Sequence, residues 1–361
     1  MYFENQFFAY KMNLSRRDFL VLTALSSVNT AILKSQNKLS MNNSAKTKIK
    51  PARLRKNDLV GVVAPGTAVP DPDDILRAQE ILANLELRWR FSESITRGTN
   101  YRSRSVGERL DELMKMFTDP EIRGIFCIRG GYGSAQLLDK IDYSIISSNP
   151  KIFLGYSDIT ALHIAINKFT GLITFHGPVL LSPFTPYTFN NLKNVLFGMS
   201  AEPLIRNPIE TNAIRASHPI RTIREGTAEG IVIGGNLSII CSLLGTPYEY
   251  DYKDALLLLE DVQEEPYRID RMLNHLRLAG KLNQVRGIAF GECKDCLPSS
   301  PSVWDFSLGE VLDYYFKPLN VPSFYGLCIG HTPDQATIAI GARAILDAKT
   351  GTLQYLESVV D

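Results

Sequence analysis

What the sequence is short of narrows the field first. Its five cysteines do not form a disulfide framework by count or spacing. Cys127, Cys241 and Cys328 sit in or beside apolar runs, as small core residues do. Cys293-Lys294-Asp295-Cys296 is a lone CxxC. Zinc needs four ligands, and no second pair or nearby His completes the set, so no metal and no cofactor is expected. The glycine-rich stretch Arg129-Gly130-Gly131-Tyr132-Gly133 lacks the GxGxxG spacing and the following Lys of nucleotide sites. The chain has no internal repeat and no low-complexity segment. Net charge is almost absent, at +1 over 361 residues, but it is unevenly spread. Residues 1–56 carry eleven Lys/Arg against two Asp/Glu, which leaves −8 on the remainder. A body of that charge is poorly suited to nucleic acid, whose affinity rests on phosphate neutralisation.

What is present has the balance of a soluble globular protein, with 45% hydrophobic and 21% charged residues. The length suggests two domains. Ser15-Arg16-Arg17-Asp18-Phe19-Leu20 resembles a twin-arginine export signal, and an apolar stretch, Phe19 to Leu33, follows it. That stretch is shorter than the ~20 residues that span a bilayer as a helix. Met12 is a candidate start, and no Ala-x-Ala cleavage site is evident. The expectation is an exported, periplasmic protein whose leader contacts the export machinery or membrane. An amphipathic or disordered tail on a cytoplasmic protein is the alternative. Residues 1–33 are read as this leader and 34–54 as a linker.

From Asp58 onward, strands alternate with helices, which argues for a parallel sheet flanked by helices. Leu59–Ala64 and Gly124–Ile128 read as buried strands, and Ile75–Leu85 and Arg109–Met116 as amphipathic helices. A proline-rich connection, 191–226, separates an N-terminal α/β domain, 55–190, from a C-terminal β/α domain, 227–361. In the second, Ile231–Ile233, Ala255–Leu259 and Ile288–Phe290 read as strands and Arg268–Leu278 as a helix. Leu327–Gly330 reads as the last core strand, with Thr337–Gly341 and Leu353–Leu356 closing the sheet.

Lys151–Thr160 holds the most suggestive turn. An apolar strand, Ile152–Leu154, breaks at Gly155, and a helix begins after Ser157. A serine on such a turn is where a hydrolase holds a nucleophile. It is also a favoured helix cap. A serine hydroxyl needs a base and an orienting carboxylate. His331 stands at a strand exit, and His176 is the runner-up base. His163 is expected to pack within its helix, and His218 and His275 sit in a loop and on a polar helix face. Glu260 ends an apolar strand, where an ionised side chain is costly unless partnered. It reads equally as a rim residue. The backbone N–H groups of Asp158 and of Gly130 or Gly131 are candidate oxyanion donors. Arg129 and Arg268 are candidates for a substrate carboxylate, or structural ion pairs.

Taken together, Cys127–Gly133, Gly155–Thr160, Phe175–Pro178, Gly234-Gly235-Asn236-Leu237, Leu259–Val262 with Tyr267–Arg271, and Gly330-His331 resemble the LD-carboxypeptidase family of serine peptidases. That family includes muramoyltetrapeptide carboxypeptidases and microcin-immunity hydrolases, and the resemblance covers residues 55–345. It implies a flavodoxin-like N-terminal domain with a smaller, swivelling β/α C-terminal domain, often as a homodimer. It also implies a Ser157-His331-Glu260 triad shared between the domains, with Asn236 among the substrate-binding candidates. The implied reaction releases terminal D-Ala from a murein tetrapeptide. An export leader departs from the cytosolic recycling enzymes and suggests trimming outside the cytoplasm. The G-x-S-x-G elbow of α/β-hydrolases fits less well, because Ile159 occupies its second glycine position. A non-catalytic exported binding protein would leave Ser157, Glu260 and His331 without a reason to converge.

Overall fold

Fourteen strands and eight α-helices make up about half of the described residues of this computed structural model, which are 47–98, 104–209, 212, 214, 216–299 and 306–361. The leader and most of the linker lie outside them. The first sheet is built from β1 (Leu59–Val63), β2 (Arg88–Phe91), β3 (Ile122–Cys127), β4 (Ile152–Gly155) and β5 (Thr174–His176). Helices α1 (Pro72–Asn84), α2 (Val106–Thr118), α3 (Tyr143–Ser148) and α4 (Thr160–Thr170) intervene. These five strands run parallel in the order 2-1-3-4-5. That order is the flavodoxin-like arrangement, with its switch point between β1 and β3.

The local chemistry explains the elements. β1 is buried along its whole length, as a parallel strand covered on both faces must be. α1 starts at the Asp71 cap with Pro72 in its first turn. α2 starts in a reciprocal capping box between Ser105 and Glu108 and turns Arg109, Leu113, Met116 and Phe117 inward. α4 buries nine of its eleven residues. Such all-round burial marks a helix packed on every side, and α4 contacts strands of both sheets.

After α5 (Pro186–Leu196) come β6 (Leu204–Ile205), β7 (Arg221–Arg224) and β8 (Thr227–Asn236), then α6 (Leu237–Ser242) and β9 (Ala255–Glu260). α7 (Pro266–Leu278), β10 (Gly287–Gly291), α8 (Leu308–Phe316) and β11 (Ser323–Leu327) follow, and the chain ends with β12 (Ile338–Ile340), β13 (Arg343–Asp347) and β14 (Thr352–Tyr355). In the second sheet β8, β9, β10 and β11 are parallel, and antiparallel strands flank them on both sides. Leu256 to Leu259 of β9 are each at most 1% exposed. Each buried leucine contributes about 1.5–3 kcal/mol.

Three boundaries differ from the sequence reading. β12 closes the first sheet, antiparallel to β5, although it lies in the C-terminal span. β6 and β7, in the stretch read as a connection, are edge strands of the second sheet. The end of the presumed linker is packed: Ile49 bridges Leu172, and Leu54 is 1% exposed. No helix among the described residues is long and apolar enough to cross a membrane.

Candidate active site

The turn after β4 is strained at one residue. Ser157 has φ of 64°, in the left-handed region that non-glycine residues rarely enter. Neither the short 3-10 turn it opens nor α4 is capped by a side-chain hydrogen bond. The helix-cap reading of Ser157 therefore has no support in the geometry. The glycine-rich loop leans directly on this serine: a Cβ placed on Gly130 would lie 2.9 Å from Ser157 Cβ and 3.2 Å from its Oγ. Only glycine lets the two backbones come so close. The N–H groups of Asp158 and Gly131 are not taken up by hydrogen bonds among the described residues.

The Asp158 side chain has a job the sequence did not reveal. Buried at 3% exposure, its carboxylate accepts hydrogen bonds from the N–H groups of Gly133 (3.3 Å) and Ser134 (2.8 Å). Arg109, 2% exposed, binds the same loops from the other side. Its guanidinium donates to the carbonyls of Pro65 (2.6 Å) and Gly133 (2.9 Å) and to Gln136 Oε1 (2.7 Å). Burial lowers its pKa, and the nearby Asp158 carboxylate opposes that shift. The loops after β1 and β3 are thus fastened to the turn carrying Ser157.

The other half of the site comes from the second sheet. Glu260, the last residue of β9, is fully buried, and its Oε2 lies 2.8 Å from His331 Nδ1. An ionised carboxylate can only accept, so Nδ1 carries the proton, and in the neutral ring Nε2 is the basic nitrogen. Glycine precedes His331 for a steric reason. Gly330 has φ of 84°, and a Cβ there would lie 2.1 Å from Glu260 Oε2. The Tyr156 ring packs edge-on against His331 with centroids 4.8 Å apart, which brings the neighbour of Ser157 onto the imidazole. Thr160, three residues beyond Ser157, accepts a hydrogen bond from the Asn236 N–H (3.0 Å) and joins the two sheets beside the site.

The remaining candidates sort by their contacts. His176 is 2% exposed, and burial pushes its pKa down to about 3. A ring so enclosed is not an accessible base. His163, also lowered to about 3 by burial, donates Nε2–H to the Gly155 carbonyl at 2.8 Å and props the strand end before Ser157. Asn236 caps α6 through Ile239 N–H and donates to Asp261 Oδ1 at 3.1 Å, so its side chain is engaged in the framework. Burial, and then Glu260, raise the pKa of Asp261, whose carboxylate also accepts from Ser238 N–H and Oγ. Arg268 is exposed on α7 and pairs with Glu264 (3.8 Å), just ahead of that helix. Arg129 is half-buried beside Gly130. Cys293 and Cys296 are joined to each other by a disulfide bond, which leaves neither thiolate free as a ligand.

Comparison with known proteins bears on this geometry. Residues 60–177 match the family model of the LD-carboxypeptidase N-terminal domain, and residues 229–346 that of its C-terminal domain. The chain is 38% identical over 308 residues to a probable murein peptide carboxypeptidase of Bacillus subtilis, covering 84% of this chain and 93% of that one. A crystal structure of an MccF-like protein from Bacillus anthracis superposes with a TM-score of 0.76 at 28% identity, covering 86% of this chain and 99% of the other. A muramoyltetrapeptide carboxypeptidase from Oxalobacter formigenes superposes with a TM-score of 0.70 at 28% identity, over 82% and 97%.

Proposed function

This chain belongs to the LD-carboxypeptidase family of serine-type peptide hydrolases, and we propose that it releases terminal D-Ala from murein tetrapeptides with Ser157, His331 and Glu260 as its triad. The observation that carries the triad is the His331–Glu260 pair: a fully buried carboxylate 2.8 Å from Nδ1, on an imidazole packed against the neighbour of a strained serine. Ser157 Oγ attacks the peptide carbonyl while His331 Nε2 takes its proton. The carbonyl π electrons move to oxygen, and the Asp158 and Gly131 N–H groups stabilise that oxyanion. Each such donor is worth roughly 10²–10³ in rate. The imidazolium then protonates the amine of the leaving D-Ala, and Glu260 supports the positive ring. Water, deprotonated by the same imidazole, hydrolyses the acyl-enzyme and restores Ser157. Arg129, beside Gly130 in the glycine-rich loop, is our candidate for pairing with the C-terminal carboxylate of the substrate.

Likeness to the microcin C7 self-immunity protein MccF, solved in complex with glutamyl sulfamoyl guanosine, supports a second substrate class, acyl-sulfamoyl or amide conjugates of the microcin type. Incubation of the purified protein with murein tetrapeptide, followed by mass spectrometry, separates the two. D-Ala release that Ser157→Ala abolishes is the expected result. Cleavage of a conjugate with no tetrapeptide turnover assigns the second substrate instead. The twin-arginine motif at Arg16-Arg17 supports action outside the cytoplasm. A reporter fused to residues 1–50 should be exported, and should stay inside when both arginines are replaced by Lys.

A further inference from the structure

Beyond the triad, one more histidine is held in a demanding environment. His218 Nδ1 lies 2.6 Å from Glu292 Oε1, and its Nε2 lies 3.0 Å from Asp334 Oδ2. The three side chains are 13%, 19% and 24% exposed. Neither carboxylate forms a salt bridge with Lys or Arg among the described residues. Two ionised carboxylates can only accept, so the arrangement is satisfied when both ring nitrogens carry hydrogen, which is the imidazolium.

The partners make this location consequential. Glu292 directly follows β10, at the carboxyl end of the parallel strands. Asp334 lies three residues after His331, in the same loop. Its other oxygen accepts from Thr185 Oγ1, the cap residue of α5. Asp334 therefore fastens the His331 loop to α5 on one side and, through His218, to the second sheet on the other. We propose that His218, as an imidazolium, is a positioning residue for His331: it holds Asp334 and the loop 331–336 so that His331 stays on Glu260. This rests on the peptidase reading of the site only where catalysis is the readout.

The surrounding groups favour the charged ring. Burial alone would lower the His218 pKa, but Glu292 and Asp334 outweigh it and the net shift is upward. Cys328 Sγ, 4.0 Å from Glu292 Oε1, stays a thiol because burial raises its pKa to well above neutrality. Tyr187 on α5, near Cys328 and Asp334, and Tyr325 on β11, near Glu292, are likewise held neutral, chiefly by burial. Arg206 acts on Tyr187 and Arg221 on Tyr325, and Arg221 is itself paired with Asp313. A cation shared by His218, Glu292 and Cys328 fits the distances less well. Two ligands each about 2.0–2.1 Å from a tetrahedral zinc ion lie roughly 3.3 Å apart. The 2.6 Å separation of Nδ1 and Oε1 is a hydrogen-bond length.

His331 must be neutral to act and His218 charged to position it, so activity should fall on the alkaline side as His218 deprotonates. The test combines three readouts on wild type, His218→Phe and His218→Gln. Nitrogen-15 histidine spectra should show a ring protonated on both nitrogens at pH 7, with that signal absent from both variants. Hydrogen exchange of residues 331–336 should quicken in wild type as His218 titrates and be fast at every pH in His218→Phe. In D-Ala release, His218→Phe should lower kcat by about 10–100-fold with little change in KM, the scale expected when a catalytic group is misplaced by an ångström. His218→Gln, whose amide supplies two donors but does not titrate, should recover part of that loss and abolish the alkaline limb. A neutral His218 at pH 7, exchange and pH profile unaltered by either variant, or stoichiometric zinc in the purified protein removed by His218→Gln would overturn the proposal. If wild type releases no D-Ala, the spectra and exchange still decide it, and only the peptidase reading fails.

Discussion

Replacing Glu260 with Gln should drive activity and stability in opposite directions. The carboxylate is fully buried; Oε2 meets His331 Nδ1 at 2.8 Å, while Oε1 has no hydrogen-bond partner among the described residues. Taking an ion out of water costs several kcal/mol after relaxation, and a single imidazole contact offsets only part of that. Removing the charge while keeping the shape should therefore raise unfolding stability by about 1–2 kcal/mol at pH 7, allowing for the amide's own unpaired group. The catalytic effect is larger and of the opposite sign. A neutral amide no longer supports imidazolium and allows the wrong tautomer, and the corresponding Asp→Asn change in a serine-protease triad lowers kcat by about 10⁴. A fall of at least 10³ with KM nearly unchanged is expected here. Urea unfolding and D-Ala release on the same preparation provide both numbers. Activity within tenfold of wild type would refute the orienting role. A loss of more than about 1 kcal/mol would refute the claim that an ionised Glu260 is held against its solvation preference.

Other perturbations probe the supporting parts. Gly330→Ala should reduce kcat at least 100-fold, because its Cβ would occupy the place of Glu260 Oε2, and left-handed strain of about 1–2 kcal/mol should appear in urea melts. Asp158→Ala leaves the N–H groups of Gly133 and Ser134 without their acceptor and should cost about 2–4 kcal/mol in stability, together with faster hydrogen exchange at both amides. His163 and His176 have folded pKa values of about 3, below the unfolded value of 6.5, so the unfolded chain binds more protons between those limits and stability falls as pH drops below 6.5. Each should cost about 2 kcal/mol by pH 5, and His176→Phe should remove roughly one proton from the pH dependence of stability measured between pH 7 and 5.

The sequence showed most clearly what is buried and continuous. β1, β4 and β10 are apolar along their length, β3 from Gly124 and β9 up to Leu259, and the helices after them carry period-3.6 faces, so the parallel framework was readable. β2 was not, because Arg88 and Arg90 alternate outward on an edge strand and leave only Trp89 and Phe91 as apolar signals. β6 and β7 are two and four residues long and take their stability from neighbouring strands, beyond what a local pattern records. β12 was legible as a strand but not as a member of the first sheet, since nothing local to Ile338–Ile340 specifies β5 as its partner.

At the site, Ser157, Glu260 and His331 stood at strand ends, where function in such sheets gathers. The Gly-His pair at 330–331 was visible as well, but its meaning was not. The need for glycine comes from the Glu260 oxygen, which is 70 residues away in sequence. Arg109 read as an ordinary member of an amphipathic helix, and its bonds to Pro65 and Gly133 exist only once three loops converge. Asp158 was considered for its backbone N–H, while its carboxylate proved to hold the glycine-rich loop.

A nucleophilic Ser157 activated by His331 should react with a fluorophosphonate probe, and peptide mapping of the labelled protein locates the adduct. One adduct is expected, on Ser157, formed much more slowly in His331→Ala and absent from Ser157→Ala. An adduct on another residue, or none while wild type cleaves tetrapeptide, would contradict it.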